Sequence, residues 1–161
     1  MNIKRIFDKS TDFAIKKIIE FSGVLLIITS LLLIVAIASY SPEDPNYIFE
    51  EEKKISNLLG FRGSFTSDIF FQSIGIISYL IPITLIFTGF SILKRKKIFI
   101  LFENIFFLVL YSIFGSFFFS YFYKESFWLT INGNGGFVGE FFYKSFFYNV
   151  TTKYEEIIYY L

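Results

Sequence analysis

The chain holds few residues of the types that do chemistry, and each group falls short of a site once its spacing is read. Glu50, Glu51 and Glu52 form a carboxylate run followed by Lys53 and Lys54. Carboxylate oxygens are the ligands of Ca²⁺ and Mg²⁺, but the alternating ligand spacing and the turn glycine of such sites are missing, so the run reads as a solvated charged segment. Glu103 stands alone in an apolar stretch, where a carboxylate marks either an ion or proton path or a side chain that pairs at the membrane surface. The basic run Lys94-Arg95-Lys96-Lys97 is close enough for pairing, which is the reading we adopt. Asn132-Gly133-Asn134-Gly135-Gly136-Phe137-Val138-Gly139-Glu140 has the glycine content of a phosphate loop. No Lys-Ser or Lys-Thr follows its last glycine, and G-x-x-x-x-G-K-[ST] occurs nowhere in the chain. With no Cys and no His, the usual zinc and iron–sulfur ligand sets, disulfides and His-assisted nucleophiles are excluded. The residues therefore predict no catalytic site, no metal and no cofactor.

The elements that would position these groups are those of a membrane protein. Of 161 residues, 54% are hydrophobic and 23% aromatic, and the mean hydropathy is +0.58. A soluble domain of this size has too much surface for its volume to hide that much apolar area. Phe21–Tyr40 is 20 residues without a charge, the length of one bilayer crossing. Ser22, Thr29 and Ala36 fall at heptad spacing along it, which predicts either a smooth face for helix packing or a chance scatter. Residues 1–20 carry Lys4, Arg5, Lys9, Lys16 and Lys17. We read them as a short cytoplasmic lead that orients the first span, the alternative being a basic amphipathic helix on an anionic membrane surface. The run after them is too long for the apolar core of a cleaved signal peptide.

Ser41-Pro42-Glu43-Asp44-Pro45-Asn46 is turn chemistry and stops the first span. The loop continues to Asn57-Leu-Leu-Gly60-Phe-Arg62-Gly63, whose glycines allow backbone conformations closed to other residues. A Gly63→Val change is therefore expected to disturb the loop. Ser67 and Asp68 sit where a helix would begin, Ser67 as its cap and Asp68 facing the positive end of its dipole. Ile69–Leu93 is then 25 residues without a charge, the second span. Pro82 near its middle predicts a kink. Gly75, Ser78, Pro82 and Gly89, near spacings of three, four and seven, predict a small-residue packing face.

Lys94–Lys97 ends the second span, and the third runs from about Ile98 to Phe122, with Ser112, Ser116 and Ser120 as a small-residue stripe beside Gly115. Lys124 and Glu125 end it, and Trp128 reads as an interface anchor. After the glycine turn at 132–140, residues 141–156 are too charged for a convincing crossing. Asn149-Val150-Thr151 is a formal glycosylation sequon, which would be meaningless if the source were bacterial. A fourth span beginning at Ile157 would hold only five residues. Basic residues cluster before the first span and between the second and third, so the N-terminus and the Lys94–Lys97 loop are expected in the cytoplasm, and the Pro42–Asp68 loop and glycine turn outside. The expected fold is an all-α, polytopic helical membrane domain over residues 21–161, with spans at about 21–40, 69–93 and 98–122 and an incomplete fourth.

The order of these motifs resembles a known family. Ser39-Tyr40-Ser41-Pro42-x-Asp44-Pro45 closes a span. Asn57-x-x-Gly60-x-x-Gly63 and Asp68 follow, then Gly75, Tyr79 and Pro82 in the next span, and later Gly135-Gly136-x-x-Gly139-Glu140. Over residues 18–140 the chain is similar to the N-terminal four-span membrane domain of the FtsK/SpoIIIE-type DNA translocases of bacterial cell division. The resemblance implies an inner-membrane anchor that gathers at the division septum. Its partners would be the lipid bilayer, other copies of itself and septal membrane proteins, and DNA and ATP would be met only through a hexameric RecA-like motor absent from this chain. It implies structural or interaction roles for Pro42, Asp44, Pro45, Asn57, Gly60, Gly63, Asp68, Gly75, Tyr79, Pro82, Gly135, Gly136, Gly139 and Glu140. Two features depart from the family: Glu140 replaces the usual Asp, and the fourth span is missing or truncated. We read the chain as a domain-sized piece, a truncated product or a split anchor that does not itself hydrolyse ATP. A reading from another class is a small transporter or channel subunit, which Glu103, Pro82 and Asp68 would serve.

Overall fold

The structure, a computed structural model, describes residues 3–45, 54–123, 125, 129 and 131–147. They form α1 (Ile3–Ala38), α2 (Gly60–Ile74), a 3-10 segment (Gly75–Tyr79), α3 (Leu80–Arg95), α4 (Phe99–Phe122), α5 (Gly136–Phe142) and a π-helical turn (Tyr143–Phe147). Among the described residues there is no strand. Three helical stretches, in α1, from α2 through α3, and in α4, are long and apolar enough to cross a membrane. The chain is an all-α polytopic membrane domain. The acidic run 50–52, Lys53, Trp128, the sequon at 149–151 and the apolar end at 157–161 lie outside the described residues.

Helix α1 runs without a break through the expected boundary between residues 20 and 21. At about 1.5 Å per residue its 36 residues measure ~54 Å, well beyond the ~30 Å of bilayer hydrocarbon. The basic segment is thus a helical continuation of the first span. It is tied to the bundle by Glu20, whose carboxylate accepts from Lys17 (2.7 Å) and from Lys96 (2.8 Å) in the turn between α3 and α4.

The main helix pair is α1 against α3. It closes on glycine: a Cβ on Gly89 would stand 2.9 Å from the Gly23 carbonyl oxygen and 2.6 Å from Ile27 Cγ1. Small residues serve here because lipid tails give apolar helices no hydrophobic reason to associate, and close backbone approach supplies dispersion instead. The packed face of α1 carries Gly23, Ser30, Ala36 and Ile37, all buried. The expected face through Ser22 and Thr29 is therefore displaced by one position. Thr29 is exposed and its hydroxyl donates back to the carbonyls of Leu25 and Leu26. Ile37, Phe71 and Leu129 form a small buried cluster lined by Leu33, Tyr40 and Ile76.

Two expectations for the second span are corrected. The helix begins at Gly60, not at Ser67, so Ser67 is buried in its middle and donates to the carbonyls of Gly63 and Ser64 instead of capping an end. Asp68 accordingly does not face a helix N-terminus. The interruption also falls at Gly75–Tyr79, not at Pro82. Pro82 is the third residue of α3, where an N–H has no acceptor within the helix anyway, so its missing donor costs little. Gly75, Ser78, Pro82 and Gly89 are all buried, as a packing face requires.

Helix α4 turns its phenylalanines outward and its small residues inward. Phe99, Phe102, Phe106, Phe107, Phe114, Phe118 and Phe122 are exposed, while Ser112, Ser116 and Ser120 are buried. Two polar bridges join it to α3: Asn104 donates to Thr88 Oγ1 (2.8 Å), and the hydroxyls of Thr84 and Tyr111 meet at 2.9 Å. Glu103 is exposed on α4, and among the described residues no salt bridge reaches it, so the expected pairing with the basic turn is not formed.

Candidate functional site

The motif residues converge at the end of the bundle opposite Lys96. Two junctions hold them.

The first junction fastens the Pro42 loop and the start of α2 onto the C-terminus of α1. The last carbonyls of any helix lack partners within it. Asn57, buried, donates from Nδ2 to the carbonyls of Ala36 (2.8 Å) and Ser39 (3.2 Å), and Ser39 Oγ accepts the N–H of Leu58. Asn57 Oδ1 accepts the N–H of Leu59, and its own carbonyl accepts the N–H of Gly60. One asparagine therefore closes α1 and opens α2. Asp44, also buried, receives the N–H groups of Ser56 (2.8 Å) and Asn57 (2.9 Å) on its two carboxylate oxygens. This fixes the Asp-Pro turn against the Asn57 turn across the loop between them. Pro45 contributes its carbonyl to the hydroxyl of Ser64 (3.4 Å), and Pro42 occupies the exposed turn before Asp44.

The two glycines of this motif act for different reasons. Gly60 has φ +64° with open space around it, so it is glycine for its backbone. Gly63 has no such φ; a Cβ there would lie 2.1 Å from Asn57 Oδ1 and 2.6 Å from Leu59 Cβ. It is glycine because Asn57 occupies the space. Further along α2, the Tyr40 hydroxyl donates to Asp68 (3.3 Å), as does Gln72 (3.4 Å). Tyr40 lies past the last residue of α1; burial first, and then the adjacent Asp68 carboxylate, push its hydroxyl above the usual tyrosine range, so it stays a donor. Its ring packs on Phe71 (4.6 Å between centroids), which in turn meets Tyr79 edge-on (5.3 Å).

The second junction seats the glycine turn in the break between α2 and α3. Gly75 (φ +65°) ends α2, and Ile76 N–H, released by the break, donates to the Asn134 carbonyl (2.9 Å). The Ile74 carbonyl accepts from Ser116 Oγ (2.9 Å). Asn132 donates to both the carbonyl and the side chain of Gln72, and Asn134 ties the turn to the carbonyls of Tyr123 and Glu125. Gly136 also has φ +65°, and a Cβ there would lie 2.5 Å from Gly75 N; Cβ atoms on Gly135 or Gly139 would enter the Ser116 carbonyl and Ser120 hydroxyl. Glu140 pairs with Lys144 one turn on (2.7 Å).

Apart from Pro82, which lies in the first turn of α3, the motif residues are thus placed in or beside these two junctions. Ser116 and Gln72, which complete the second junction, were visible in the sequence only as a member of a serine stripe and as an isolated polar residue. The small-residue faces are consumed by contacts within the chain. Among the described residues no cluster of potential metal ligands forms.

A helical bundle with its loops bolted together at one end, and with apolar side chains turned outward along three crossings, is a polytopic membrane domain. The chain belongs to the family described as the 4TM region of DNA translocase FtsK/SpoIIIE, which it matches over residues 16–148. It is 30% identical over 88 residues to a DNA translocase FtsK of Azospirillum brasilense, covering 53% of this chain and 14% of that protein. It is 31% identical over 80 residues to a DNA translocase FtsK of Rickettsia prowazekii (strain Madrid E), covering 48% of this chain and 11% of that protein. The chain therefore spans a small fraction of the length of these relatives. No solved structure matches it significantly.

Proposed function

We propose that this chain is the inner-membrane anchor of a cell-division DNA translocase, and that it supports targeting to the septum and chromosome segregation. The observation that carries the reading is the family match over residues 16–148, supported by the two hydrogen-bonded loop junctions at one end of the bundle. In this reading the chain performs no catalysis; ATP and DNA are handled by a motor outside it. The N-terminal half of α1 and the Lys94–Lys97 turn face the cytoplasm, in keeping with their basic residues. The Asn57 and Gly136 junctions then face outward, where septal membrane proteins would meet them. Copies of the chain associate through surfaces other than the small-residue faces, because those faces are filled from within.

The test is the position of a fluorescent fusion of the full chain in dividing cells. Accumulation at midcell is expected; uniform fluorescence around the cell periphery would overturn the proposal.

A further inference from the structure

One face of α3 is bare up to the basic turn. Ile83, Phe87, Phe90 and Lys94 recur at spacings of four, three and four, which places them one above another on the same side of a helix. All four are exposed, Ile83 at 44%, Phe87 at 67% and Phe90 at 56%. The opposite side of α3 buries Ile81, Gly89 and Ile92, and the hydroxyls of Thr84 and Thr88 turn to α4. From Ile83 to Lys94 the stripe rises ~17 Å, close to the ~15 Å of hydrocarbon in one leaflet.

The end of the stripe at the turn is cationic and unsatisfied. In the run from Lys94 to Lys97, Lys96 pairs with Glu20, and Glu20 is shared with Lys17. Lys94, Arg95 and Lys97 are exposed, and among the described residues no salt bridge reaches them. Lys96 itself sits at φ 54°, the left-handed position after a helix that usually falls to glycine. The turn therefore carries a cation even where the backbone favours a residue without a side chain.

We propose that this face of α3 holds an anionic phospholipid, with an acyl chain along Ile83, Phe87 and Phe90 and the headgroup phosphate on Lys94, joined by Arg95 and Lys97. The apolar part of the stripe matches an acyl chain in length. A lysine stem runs along apolar surface while its ammonium reaches the phosphate level. Three free cations in one turn favour a lipid of net negative charge over a zwitterionic one. A second copy packed here through the same stripe would set Lys94 against Lys94, and no acid lies on the stripe to relieve the repulsion. The apolar face of α4 differs, because exposed Glu103 lies on it among Phe99, Phe102 and Phe106 and repels an anionic headgroup. The inference rests on α3 crossing the bilayer and not on any role at the septum.

Brominated lipids quench tryptophan on contact, and the chain has one tryptophan, Trp128. In the full chain carrying Trp128→Phe, Phe90→Trp reports on the α3 face and Phe106→Trp on the α4 face. Each is reconstituted in equimolar phosphatidylglycerol and phosphatidylcholine with one or the other lipid brominated, and the ratio of the two quenching strengths gives the preference for the anionic lipid. At Phe90→Trp the preference is expected to reach about threefold or more, and to fall to near one when Lys94→Gln, Arg95→Gln and Lys97→Gln are added. At Phe106→Trp it is expected to be near one or below. A preference near one at Phe90→Trp would overturn the proposal, as would a preference that survives the loss of the three cations. Weak quenching by both lipids would mean that protein covers the face and would equally overturn it. Should Phe90→Trp or the triple variant fail to insert, Phe87→Trp and Lys94→Gln alone take their places, and the preference is then expected to fall by about half or more.

Discussion

Asn57 is the residue on which the first junction turns, and Asn57→Asp isolates its donor function. The substitution keeps the shape and keeps an oxygen for the N–H of Leu59, but it turns Nδ2 into a carboxylate oxygen facing the carbonyls of Ala36 and Ser39. Two hydrogen bonds are lost, about 1 kcal/mol each. A negative charge is also placed, 4% exposed, at the C-terminal end of α1, where the helix dipole opposes it by up to about 2 kcal/mol. The Asp44 carboxylate, bonded to the Asn57 N–H at 2.9 Å, adds like-charge repulsion. Asn57→Asp should therefore destabilise by about 4 kcal/mol or more, and Asn57→Ala, which only removes its three side-chain bonds, by about 3 kcal/mol. The assay is the thermal midpoint in one detergent for the wild type and both variants, with protease cleavage between residues 45 and 57 as a local readout. If Asn57→Asp melts with the wild type, or is milder than Asn57→Ala, the capping argument is wrong.

The glycines divide in a testable way. Gly60→Ala meets only the penalty of a left-handed backbone, about 1–2 kcal/mol, whereas Gly136→Ala meets that penalty and the Gly75 backbone as well, so the second variant should have the clearly lower midpoint. Ser116→Ala should cost about 1–2 kcal/mol by stranding the Ile74 carbonyl; Ser112, whose buried hydroxyl has no partner among the described residues, should tolerate alanine with no loss in the same melt. Lys96→Ala should change stability by less than about 1 kcal/mol, since its pair with Glu20 is largely exposed, and a larger drop would show that this contact holds α1 to the turn.

What the sequence made legible was set by composition, and what it hid was set by tertiary partners. The crossings in α1 and α4 stand out because uncharged runs of about bilayer length have no other stable home. The order of Asp44, Asn57 and Gly63 was legible as a motif, although the reason for Gly63 was not: its φ is ordinary and its neighbour is Asn57. The start of α2 was hidden because Gly60, Gly63, Ser64 and Thr66 are poor or indifferent helix formers, and the helix is held by Asn57 and Asp44 from outside its own sequence. Pro82 drew attention away from Gly75 because a proline looks like the stronger breaker, yet in a first turn its missing N–H is harmless. The displaced face of α1 shows a further limit. Small residues at 22, 29 and 36 and at 23 and 30 offer two stripes one residue apart, and only the approach of Gly89 selects between them.

The break at Gly75 is finished by residues that lie some 60 positions later in the chain. When the ribosome has made only α2 and α3, the Ile76 N–H and Ile74 carbonyl have neither the Asn134 carbonyl nor the Ser116 hydroxyl to meet, and backbone groups left open near lipid cost several kcal/mol each. The second crossing is therefore provisional until the third has been threaded and the glycine turn has come back to it. A later segment locks an earlier one, so the second junction is complete only once the polypeptide is laid down through about residue 139, and any product ending before Asn132 carries an unlatched second helix.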